Sequence, residues 1–259
     1  MKFSVLTVCH NSAKTIEHCI ESVCSQSYPD IEHIIIDGGS TDGTLEIIDK
    51  YRDKISQLIS EPDNGIYDAM NKGIRLATGD IIGILNSDDF YADSTTVSGI
   101  IGFIVKNNMD AAYGDLVYVT RNDTSKVKRY WKSGEYKPEA FSKGWVPPHP
   151  AFFCRKEIYT KYGYFRNDMQ IAADFELMLR LVEKNQIKVG YLPKIVVKMR
   201  TGGKANVLRG MIRGNCEIIR SFRLNDLRLS PRFFILKPIR KIFQLFTRPS
   251  KLNKKNIDL

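Results

Sequence analysis

A short apolar run that ends in adjacent carboxylates constrains the fold of this chain more than any other stretch. Residues 81–85 (IIGIL) are β-branched or apolar around one glycine, which favours a strand buried on both faces of a sheet. Open α/β sheets bind ligands at the carboxyl ends of their strands. Asp88 and Asp89 follow this run, and two hard oxygen ligands at that place suit Mg²⁺ or Mn²⁺ bridged to a diphosphate. Taken alone, residues 86–89 are also compatible with a turn that caps a helix starting near Ser94.

Three strand–helix units predict the architecture of the first half. Residues 3–9, 31–36 and 57–60 are predicted strands, and each is followed by a polar loop and a helical segment. This alternation predicts an α/β fold with a parallel, doubly wound sheet. GxGxxG after the first strand and a Gly-Lys-Ser/Thr P-loop are both missing from the sequence, which disfavours a dinucleotide-binding Rossmann domain and a P-loop site. We expect any nucleotide bound here to be held by carboxylates and a metal.

The loop after the second predicted strand is the second informative cluster. Residues 37–44 (DGGSTDGT) place a carboxylate, Asp37, at the strand end, followed by two glycines and a Ser/Thr/Asp cap that opens a helix. Glycines let a backbone approach a ligand closely, and a helix N-terminus favours negative charge. The pattern indicates a ligand-binding loop, although an aspartate at this place is also a common turn former.

The second half of the chain has a different pattern. Five more strands are predicted there, at 111–120, 126–132, 152–153, 188–192 and 195–199. The first two are expected to pair, and they are followed by an irregular segment at 133–150. A helix is predicted to begin near Asp174, where the helix dipole favours a carboxylate. Two more helical segments are predicted toward the C-terminal end, at 205–223 and 231–246.

The net charge of +10 is concentrated at the C-terminal end. Residues 200–259 carry 15 Lys/Arg against 3 Asp/Glu, whereas the first 199 residues carry 24 against 26. Within 231–246 the apolar and basic side chains fall mainly on opposite helical faces: Ile235, Ile239, Ile242 and Phe246 against Lys237, Arg240, Lys241 and the following Arg248. Such a helix favours an anionic membrane surface, although Pro238 weakens its continuity. A solvated helix face is the alternative, and a nucleic-acid site is disfavoured because no binding module accompanies the charge.

Cysteine usage and the N-terminus indicate the compartment. The five cysteines include no CxxC pair, which is typical of reduced thiols. The N-terminus does not resemble a signal peptide, and no run approaches the ~20 apolar residues that span a bilayer. We therefore expect a cytoplasmic protein, peripheral to the inner face of the cytoplasmic membrane.

Six segments, taken in order, carry a resemblance to a known family. They are the first strand with Thr7 and Asn11, then 37–44 (DGGSTDGT), 63–71 (DNGIYDAMN), 77–80 (ATGD), 85–89 (LNSDD) and 174–176 (DFE). This order resembles bacterial family 2 glycosyltransferases with the GT-A fold, of the kind that builds capsule, exopolysaccharide or O-antigen repeat units. The resemblance covers roughly residues 3–200. It implies a Rossmann-like, mostly parallel sheet flanked by helices, with a smaller mixed part on the acceptor side and a basic helical tail.

The resemblance also implies a division of the chain and a set of site residues. Residues 1–110 would bind the nucleotide sugar, 111–203 would form the acceptor-binding half of the same domain, and 204–259 would be a basic helical extension. The implied donor-binding residues are Thr7, Asn11, Asp37, Asp68, Asn71, Lys72 and Asp88. The implied metal ligands are Asp88 and Asp89, the implied catalytic base is Asp174, and the implied acceptor contacts are His149, Trp145 and Glu176.

One position departs from the family pattern. Asn86 stands where the first carboxylate of a DxD motif would be, which leaves open whether Asp88 or Asp89 touches the metal directly. A structural role is also open for several of the residues implied above. Asp174 could be only a helix N-cap, and Glu176 could only support Asp174.

The implied activity is an inverting transfer of a sugar from a nucleoside diphosphate to a saccharide or a polyprenyl-linked acceptor. Such a transfer needs a carboxylate that takes the proton of the acceptor hydroxyl, and a cation, Mn²⁺ or Mg²⁺, on the departing diphosphate. Two other classes stay open. A sugar-phosphate nucleotidyltransferase usually carries a glycine-rich basic loop after its first strand, where this chain has residues 10–13 (HNSA). A non-catalytic nucleotide-sugar-binding module would not need Asp174.

Overall fold

The first half alternates strands and helices, and its four strands run parallel. The elements are β1 (Phe3–Cys9), α1 (Ile16–Cys24), β2 (Ile31–Asp37), α2 (Thr44–Asp49), β3 (Gln57–Ser60), α3 (Ile66–Leu76) and β4 (Ile81–Ile84). Phe3 of β1 pairs with Ile31 of β2 on one side and with Ile81 of β4 on the other, both in parallel register. Because the carboxyl ends of parallel strands meet at one edge of a sheet, the loops after β1, β2 and β4 lie next to each other.

The computed structural model describes residues 1–202 and 208–247, so the predicted helix start at 205 and the predicted basic residue Arg248 lie outside the described residues. The second half contains β5 (Asp89–Tyr91), α4 (Thr96–Lys106), β6 (Ala111–Val119), β7 (Val127–Trp131), β8 (Phe152–Arg155), α5 (Lys156–Tyr162), α6 (Ala173–Met178), β9 (Val189–Arg200), α7 (Leu208–Leu224) and α8 (Phe233–Phe246). The predicted pairing of the strands near 111–120 and 126–132 is confirmed by the antiparallel β6–β7 ladder.

All nine strands of the described residues belong to one mixed sheet, in the order β3-β2-β1-β4-β8-β6-β9-β5, with β7 paired to β6. Strand β8 runs antiparallel to both β4 and β6 and joins the parallel half to the mixed half. The predicted α/β fold, parallel in its first half and mixed in its second, is confirmed.

The two strands predicted at 188–192 and 195–199 are a single strand, β9, so this prediction was wrong. The register of β6 against β9 shifts around Gly114, and this irregularity accommodates Pro193 within the strand. A Cβ on Gly114 would lie 2.7 Å from Cγ2 of Val196, so no larger residue fits the shift without displacing its neighbour.

The segment after β4 also differs from the turn-and-cap alternative. Asp89 N donates to Asn86 O over 2.9 Å and closes a turn, but the chain then continues as β5, antiparallel to β9. Helix α4 is entered through Asp93, whose Oδ1 accepts the backbone N–H of Thr95 over 2.8 Å. Asp88 and Asp89 are therefore not the caps of this helix.

Both faces of the sheet are covered, which explains why its first strands are continuously apolar. Val5 of β1 packs in one core with Ile100 of α4, and Leu6 packs in the other core with Ile74 of α3. The second of these cores also contains Phe222 of α7, so the C-terminal helices pack on the body of the protein.

Helix α8 turns its apolar face outward. Phe233 is 1% exposed at its start, whereas Ile235, Phe243 and Phe246 are 63%, 65% and 78% exposed. Among the basic residues predicted on the opposite face, Lys237 is partly buried, whereas Arg240 and Lys241 are exposed. Within the described ranges, none of the helices combines the length and apolar character needed to cross a bilayer.

Candidate active site

Asp88 and Asp89 lie at the carboxyl end of β4 in different environments. Asp88 is partly exposed, whereas Asp89 is 0% exposed and begins β5. Nδ2 of Asn86 donates to Oδ2 of Asp89 over 3.2 Å. Burial and the charge of Asp88 raise the pKa of Asp89 well above its ordinary value. Asp88 is therefore the carboxylate that a ligand at this edge of the sheet can reach.

Two oxygen atoms beside Asp88 are unsatisfied. Oδ1 of Asn86 and Oδ1 of Asp89 are buried and have no hydrogen-bond partner among the described residues. Buried unpaired oxygens of this kind need a partner, and a cation or an ordered water can supply it. Carboxylate and amide oxygens are the ligands that Mg²⁺ and Mn²⁺ prefer. The ranges that the structure describes hold no group of three His, Cys, Asp or Glu that could bind a metal by itself, so a cation here would share its ligands with a substrate.

Arg200, the last residue of β9, covers the other side of Asp88. Its Nη1 donates to the backbone oxygen of Asp88 over 2.7 Å, and its Nη2 lies 2.7 Å from Nδ1 of His18. The guanidinium lies 4.9 Å from the ring centroid of Phe90, and the His18 ring stacks on the same Phe90 at 4.1 Å. Burial lowers the pKa of His18 and the charge of Arg200 lowers it further, so a neutral imidazole accepts this hydrogen bond. The arrangement places a cation next to Asp88.

Asp37 organises the loop after β2. The carboxylate is fully buried and accepts the backbone N–H groups of Gly39 (3.1 Å) and Ser40 (2.9 Å) and the hydroxyl of Ser60 (2.7 Å). Burial raises its pKa, but the hydrogen bonds from Ser40 and Ser60 outweigh burial and hold the pKa below its ordinary value. Asp37 is thus ionised and shapes the loop.

Asn11 and Thr7 lie on the same side of the sheet but differ in exposure. Asn11 is exposed with φ 51°, and its Oδ1 accepts the backbone N–H of Thr41 over 2.9 Å, which joins the loops after β1 and β2. Thr7 is 0% exposed, and its hydroxyl lies 2.9 Å from Nε2 of His33. In this structure Thr7 therefore forms part of the floor beneath the loops, and the loops themselves offer the exposed surface.

Lys72 is the centre of an acidic cluster after β3. Its Nζ lies 2.6 Å from Oδ1 of Asp63, 2.7 Å from Oε1 of Glu61 and 3.8 Å from Oδ2 of Asp68. The hydrogen bonds that Lys72 donates to Asp63 and Glu61 raise its pKa. Oδ2 of Asp63 would also lie 3.3 Å from a Cβ on Gly38, so this cluster touches the Asp37 loop.

Asn71 joins the two halves of the protein. It is 2% exposed, and its amide both donates to Phe165 O and accepts from Phe165 N, each over 2.9 Å. Its Nδ2 also donates to Oδ1 of Asn167 over 2.8 Å. Because both ends of the amide are engaged, Asn71 holds the segment that leads into α6.

Asp174 lies in the first turn of α6 and is partly exposed. Its Oδ1 accepts the backbone N–H of Phe175 over 2.8 Å and the hydroxyl of Tyr67 over 3.3 Å. Burial lowers the pKa of His149, while the charge of Asp174 raises it. The rings of His149 and Tyr67 both pack on Phe165, at 5.4 Å and 5.6 Å between centroids, and Tyr67 is the hydrogen-bond partner of Asp174.

Trp145 and Glu176, both predicted acceptor contacts, lie in the interior. Nε1 of Trp145 donates to Ser133 O over 2.7 Å, and the side chain is 8% exposed. Glu176 is 2% exposed and accepts from Nε of Arg180 over 3.0 Å and from Nδ2 of Asn225 over 3.1 Å. The polar groups of both residues are hydrogen-bonded inside the protein, so both have a structural role. For Glu176, a structural role is the alternative that the sequence left open.

The charges of both predicted carboxylate sites affect the pKa of Tyr118 in β6. Burial raises the pKa of Tyr118, and the charges of both Asp89 and Asp174 raise it further. Asp89 and Tyr118 both pair with Met199 of β9, so the start of β5 and this part of β6 lie two strands apart in the sheet.

The sequence of this chain matches the model of Glycosyl transferase family 2 over residues 4–162, more than half of its length. The chain belongs to glycosyl transferase family 2. It is 26% identical, over 211 residues and 80% of both chains, to a PGL/p-HBAD biosynthesis glycosyltransferase of Mycobacterium bovis (strain BCG / Pasteur 1173P2). It is therefore a glycosyltransferase, and the nucleotidyltransferase and non-catalytic alternatives are set aside.

Solved structures similar to this glycosyltransferase confirm the GT-A type of fold. S. aureus TarS 1-349, in complex with UDP-GlcNAc, is 20% identical, with a TM-score of 0.67 over 94% of this chain and 71% of that one. The mannosyltransferase PcManGT from Pyrobaculum calidifontis, in complex with GDP-Man and Mn²⁺, is also 20% identical, with a TM-score of 0.64 over 92% and 68% of the two chains.

Two residues around the site of this glycosyltransferase were missed by the sequence patterns. Arg200 had a signal, because it ends a predicted strand directly before Thr-Gly-Gly, as polar residues end the strands of the first half. Glu217 of α7 had none: its carboxylate accepts the backbone N–H groups of Gln170 (3.0 Å), Ile171 (2.9 Å) and Ala172 (2.8 Å) just before α6. Only the packing of α7 against this loop reveals its role.

Proposed function

We propose that this glycosyltransferase transfers a sugar, with inversion, from a nucleoside diphosphate to a saccharide or lipid-linked acceptor in surface polysaccharide synthesis. The observation that supports this best is the pair of partly exposed carboxylates, Asp88 after β4 and Asp174 in α6, on separate elements of the fold. An inverting transfer needs two such groups, one near the departing diphosphate and one near the acceptor hydroxyl.

The donor is proposed to bind along the loops after β1, β2 and β3. Asn11 and the Asp37 loop present backbone groups that are already fixed by hydrogen bonds, so they need little reorganisation on binding. The Lys72 cluster borders the Asp37 loop and places a positive and a negative side chain, Lys72 and Asp63, next to it. A preorganised polar surface of this kind suits a ribose and a base.

A divalent cation fits the oxygen atoms at the end of β4. Asp88 is the proposed direct ligand because its carboxylate is accessible, and Asn86 and Asp89 line the space beneath it with unpaired oxygens. When bound, Mn²⁺ or Mg²⁺ supplies positive charge to the departing diphosphate. Arg200 lies beside Asp88 and contributes a second positive charge from the protein itself.

Asp174 is the proposed general base. Both of its hydrogen bonds within the described residues go to Oδ1, which orients the carboxylate and leaves Oδ2 to accept the proton of the acceptor hydroxyl. As that proton leaves, the hydroxyl oxygen attacks the anomeric carbon from the side opposite the diphosphate, and the configuration inverts. His149 lies close enough to contact the acceptor.

The test is isothermal titration of the protein with UDP, GDP and dTDP, with and without Mn²⁺, followed by turnover of the matching nucleotide sugars. We expect metal-dependent binding of one nucleotide. Asp174→Asn should retain that binding and lose roughly 10²–10⁴-fold in turnover, the range for a general base. Absence of nucleotide binding, or full turnover in Asp174→Asn, would contradict the proposal.

The C-terminal helices are proposed to hold the enzyme on the anionic inner face of the cytoplasmic membrane. The outward face of α8 carries large exposed apolar side chains, and the exposed cations Arg232 and Arg240 flank them. Apolar side chains with cations at their edges suit the headgroup region of an anionic bilayer. A membrane position would bring the proposed active site to a lipid-linked acceptor.

Vesicle sedimentation tests this location. Since Phe233 belongs to the core, we would not remove α8 but change Phe243→Ser and Phe246→Ser on its exposed side. We expect the double variant to leave vesicles containing anionic lipid while nucleotide binding is unchanged. Equal sedimentation of wild type and variant would refute the membrane position.

A further inference from the structure

We propose that Arg129, Lys237 and Lys241 form an anion site beside Asp174 that binds a phosphate group of the acceptor. This inference rests on the proposed function, because it assigns a chemical class to the acceptor. It gives α8 a second role, as part of the proposed acceptor side.

Helix α8 is held firmly against the acceptor side. It packs on β7, where Oγ1 of Thr247 donates to Tyr130 O over 3.4 Å. At the other end, Gly144 lies directly beneath Lys237. A Cβ on Gly144, which has φ +77°, would lie 2.9 Å from the backbone nitrogen of Lys237 and 3.1 Å from its Cα. The position of Lys237 is therefore fixed by backbone contact.

The side of α8 that faces the body carries cations. Lys237 is partly buried, with Nζ 5.3 Å from the ring centroid of Phe233. Lys237 lies one turn after Phe233, whose ring centroid is 6.2 Å from that of Phe175, the residue next to Asp174. Burial lowers the pKa of Lys237, and the charge of Asp174 raises it. Lys241 lies one turn further along at the exposed rim, where partial burial and the charge of Arg129 lower its pKa.

Arg129 of β7 completes the group. Its guanidinium lies 3.7 Å from the ring centroid of Tyr118 and 5.7 Å from that of Trp131, and its buried Nε has no hydrogen-bond partner among the described residues. Tyr118 in turn lies within the influence of both Arg129 and Asp174. Helix α8 thus runs from α6, where Phe233 contacts Phe175, to β7, which carries Arg129. Lys237 and Lys241 lie along the helix between these two elements.

This concentration of positive charge needs an anion. Within the residues that the structure describes, Arg129, Lys237 and Lys241 form no ion pair with a carboxylate within 4.0 Å, in contrast to Lys72 with its three. Like charges in a partly buried group repel each other, and an anion relieves that repulsion. A phosphate accepts hydrogen bonds from an arginine fork and from lysine point charges together, which a single carboxylate does less fully.

The position of the site limits the acceptor. Because Lys237 lies one turn from the contact of α8 with Phe175, the residue next to Asp174, the phosphate would lie near the hydroxyl that is glycosylated, so the acceptor is a short saccharide attached to phosphate. That phosphate could belong to a lipid carrier or to a soluble sugar phosphate, and both share the chemistry of the site. The outward apolar face of α8 next to the site favours the lipid source.

The experiment is isothermal titration of the protein saturated with UDP and Mn²⁺, so that the donor site is occupied. The probes are glucose 1-phosphate in solution and farnesyl diphosphate in neutral detergent micelles. We expect Arg129→Gln and Lys237→Gln each to weaken probe binding roughly tenfold or more, the loss of one charge-assisted hydrogen bond. Lys128→Gln removes one positive charge at an exposed position of β7, next to Arg129 in the chain, and should change the affinity less than twofold.

The outcomes separate this inference from the donor proposal. Binding of neither probe, or equal binding by wild type, Arg129→Gln and Lys237→Gln, would overturn the anion site even if UDP binds normally. If the protein binds a probe through Arg129 and Lys237 but binds no nucleotide, the anion site is supported and the proposed function is contradicted. Tighter binding of farnesyl diphosphate than of glucose 1-phosphate would identify a lipid carrier as the source of the phosphate, and the reverse order a soluble sugar phosphate.

Discussion

The proposed donor side, around Asp37 and Asp88, and the proposed acceptor side, around Asp174, are held in place in different ways. On the donor side, Asp37 bonds to residues two and three positions along the chain, and Asn86 bonds to Asp89 three positions along. On the acceptor side, Tyr67 bonds to Asp174 across 107 residues, and Glu217 bonds to Ala172 across 45. The donor side is built mainly by local turns, and the acceptor side by packing of distant segments.

This difference predicts how each side should respond when a distant element shifts or a hydrogen-bond partner is removed. A local loop keeps its shape when distant elements shift, because its hydrogen bonds are made within the loop. A segment held by distant partners loses its position when one of them is removed. The donor side also has longer-range bonds: Thr41 bonds to Asn11 across 30 residues, Ser60 to Asp37 across 23, and Arg200 to Asp88 across 112.

We expect Glu217→Ala to have the largest effect and to test most directly whether the two sides respond independently. The substitution leaves three backbone N–H groups at the entrance to α6 without their acceptor, which should cost about 3 kcal/mol of unfolding free energy. Turnover should fall more than nucleotide affinity, since the loop before Asp174 is displaced and the donor loops are not. Thermal unfolding, titration and turnover measure the three quantities.

The controls for Glu217 use the same position and the same helix. Glu217→Gln retains an oxygen acceptor and should recover part of the turnover, while Cys216→Ser, at an exposed neighbouring position, should behave as wild type. If nucleotide affinity fell as much as turnover, the two sides would not be independent.

Asp88→Asn should act on the donor side alone. We expect the affinity for the nucleotide with Mn²⁺ to fall about tenfold to a hundredfold, because the accessible carboxylate of the proposed metal site is lost. The partly exposed side chain contributes little to packing, so the unfolding temperature should stay within about 1–2 °C. Retention of metal-dependent affinity in this variant would remove Asp88 from the metal site.

Asp89→Asn should have the smallest effect, and it should stabilise the fold instead of destabilising it. The pKa of Asp89 is raised in the folded state by burial and by Asp88, so the folded protein binds its proton more tightly than the unfolded chain does. Stability from this group therefore decreases as pH rises above the ordinary carboxyl value of 3.8, and the penalty is present at pH 7.

Replacing that carboxylate by a neutral amide should raise the unfolding temperature by about 2–4 °C at pH 7 without added metal. The gain should shrink as the pH is lowered toward 3.8. Differential scanning calorimetry across this pH range measures it, and a variant less stable than wild type at pH 7 would show that Asp89 is ionised and well paired in the fold.

The local character of the donor side is also why the sequence could predict it. The apolar runs that end in Asp37 and in residues 86–89 combine a strand with the turn that follows, and a pattern of a few residues records both. The same patterns predicted β1 to β4 and their parallel order. They did not predict β5 or the continuity of β9, because those strands are defined by pairing with each other and with β6.

By itself, the sequence determined the parallel first half, the polar loops at its carboxyl edge and, through the order of its motifs, the family. Only the tertiary structure decided which carboxylate is accessible, since Asp88 and Asp89 are adjacent in the chain and differ only in what packs on them. It also decided that Trp145 and Glu176 lie inside and that Glu217 holds the loop before Asp174. Burial, pairing and the direction of a helix face all depend on segments far apart in the chain, and no local pattern of residues contains that information.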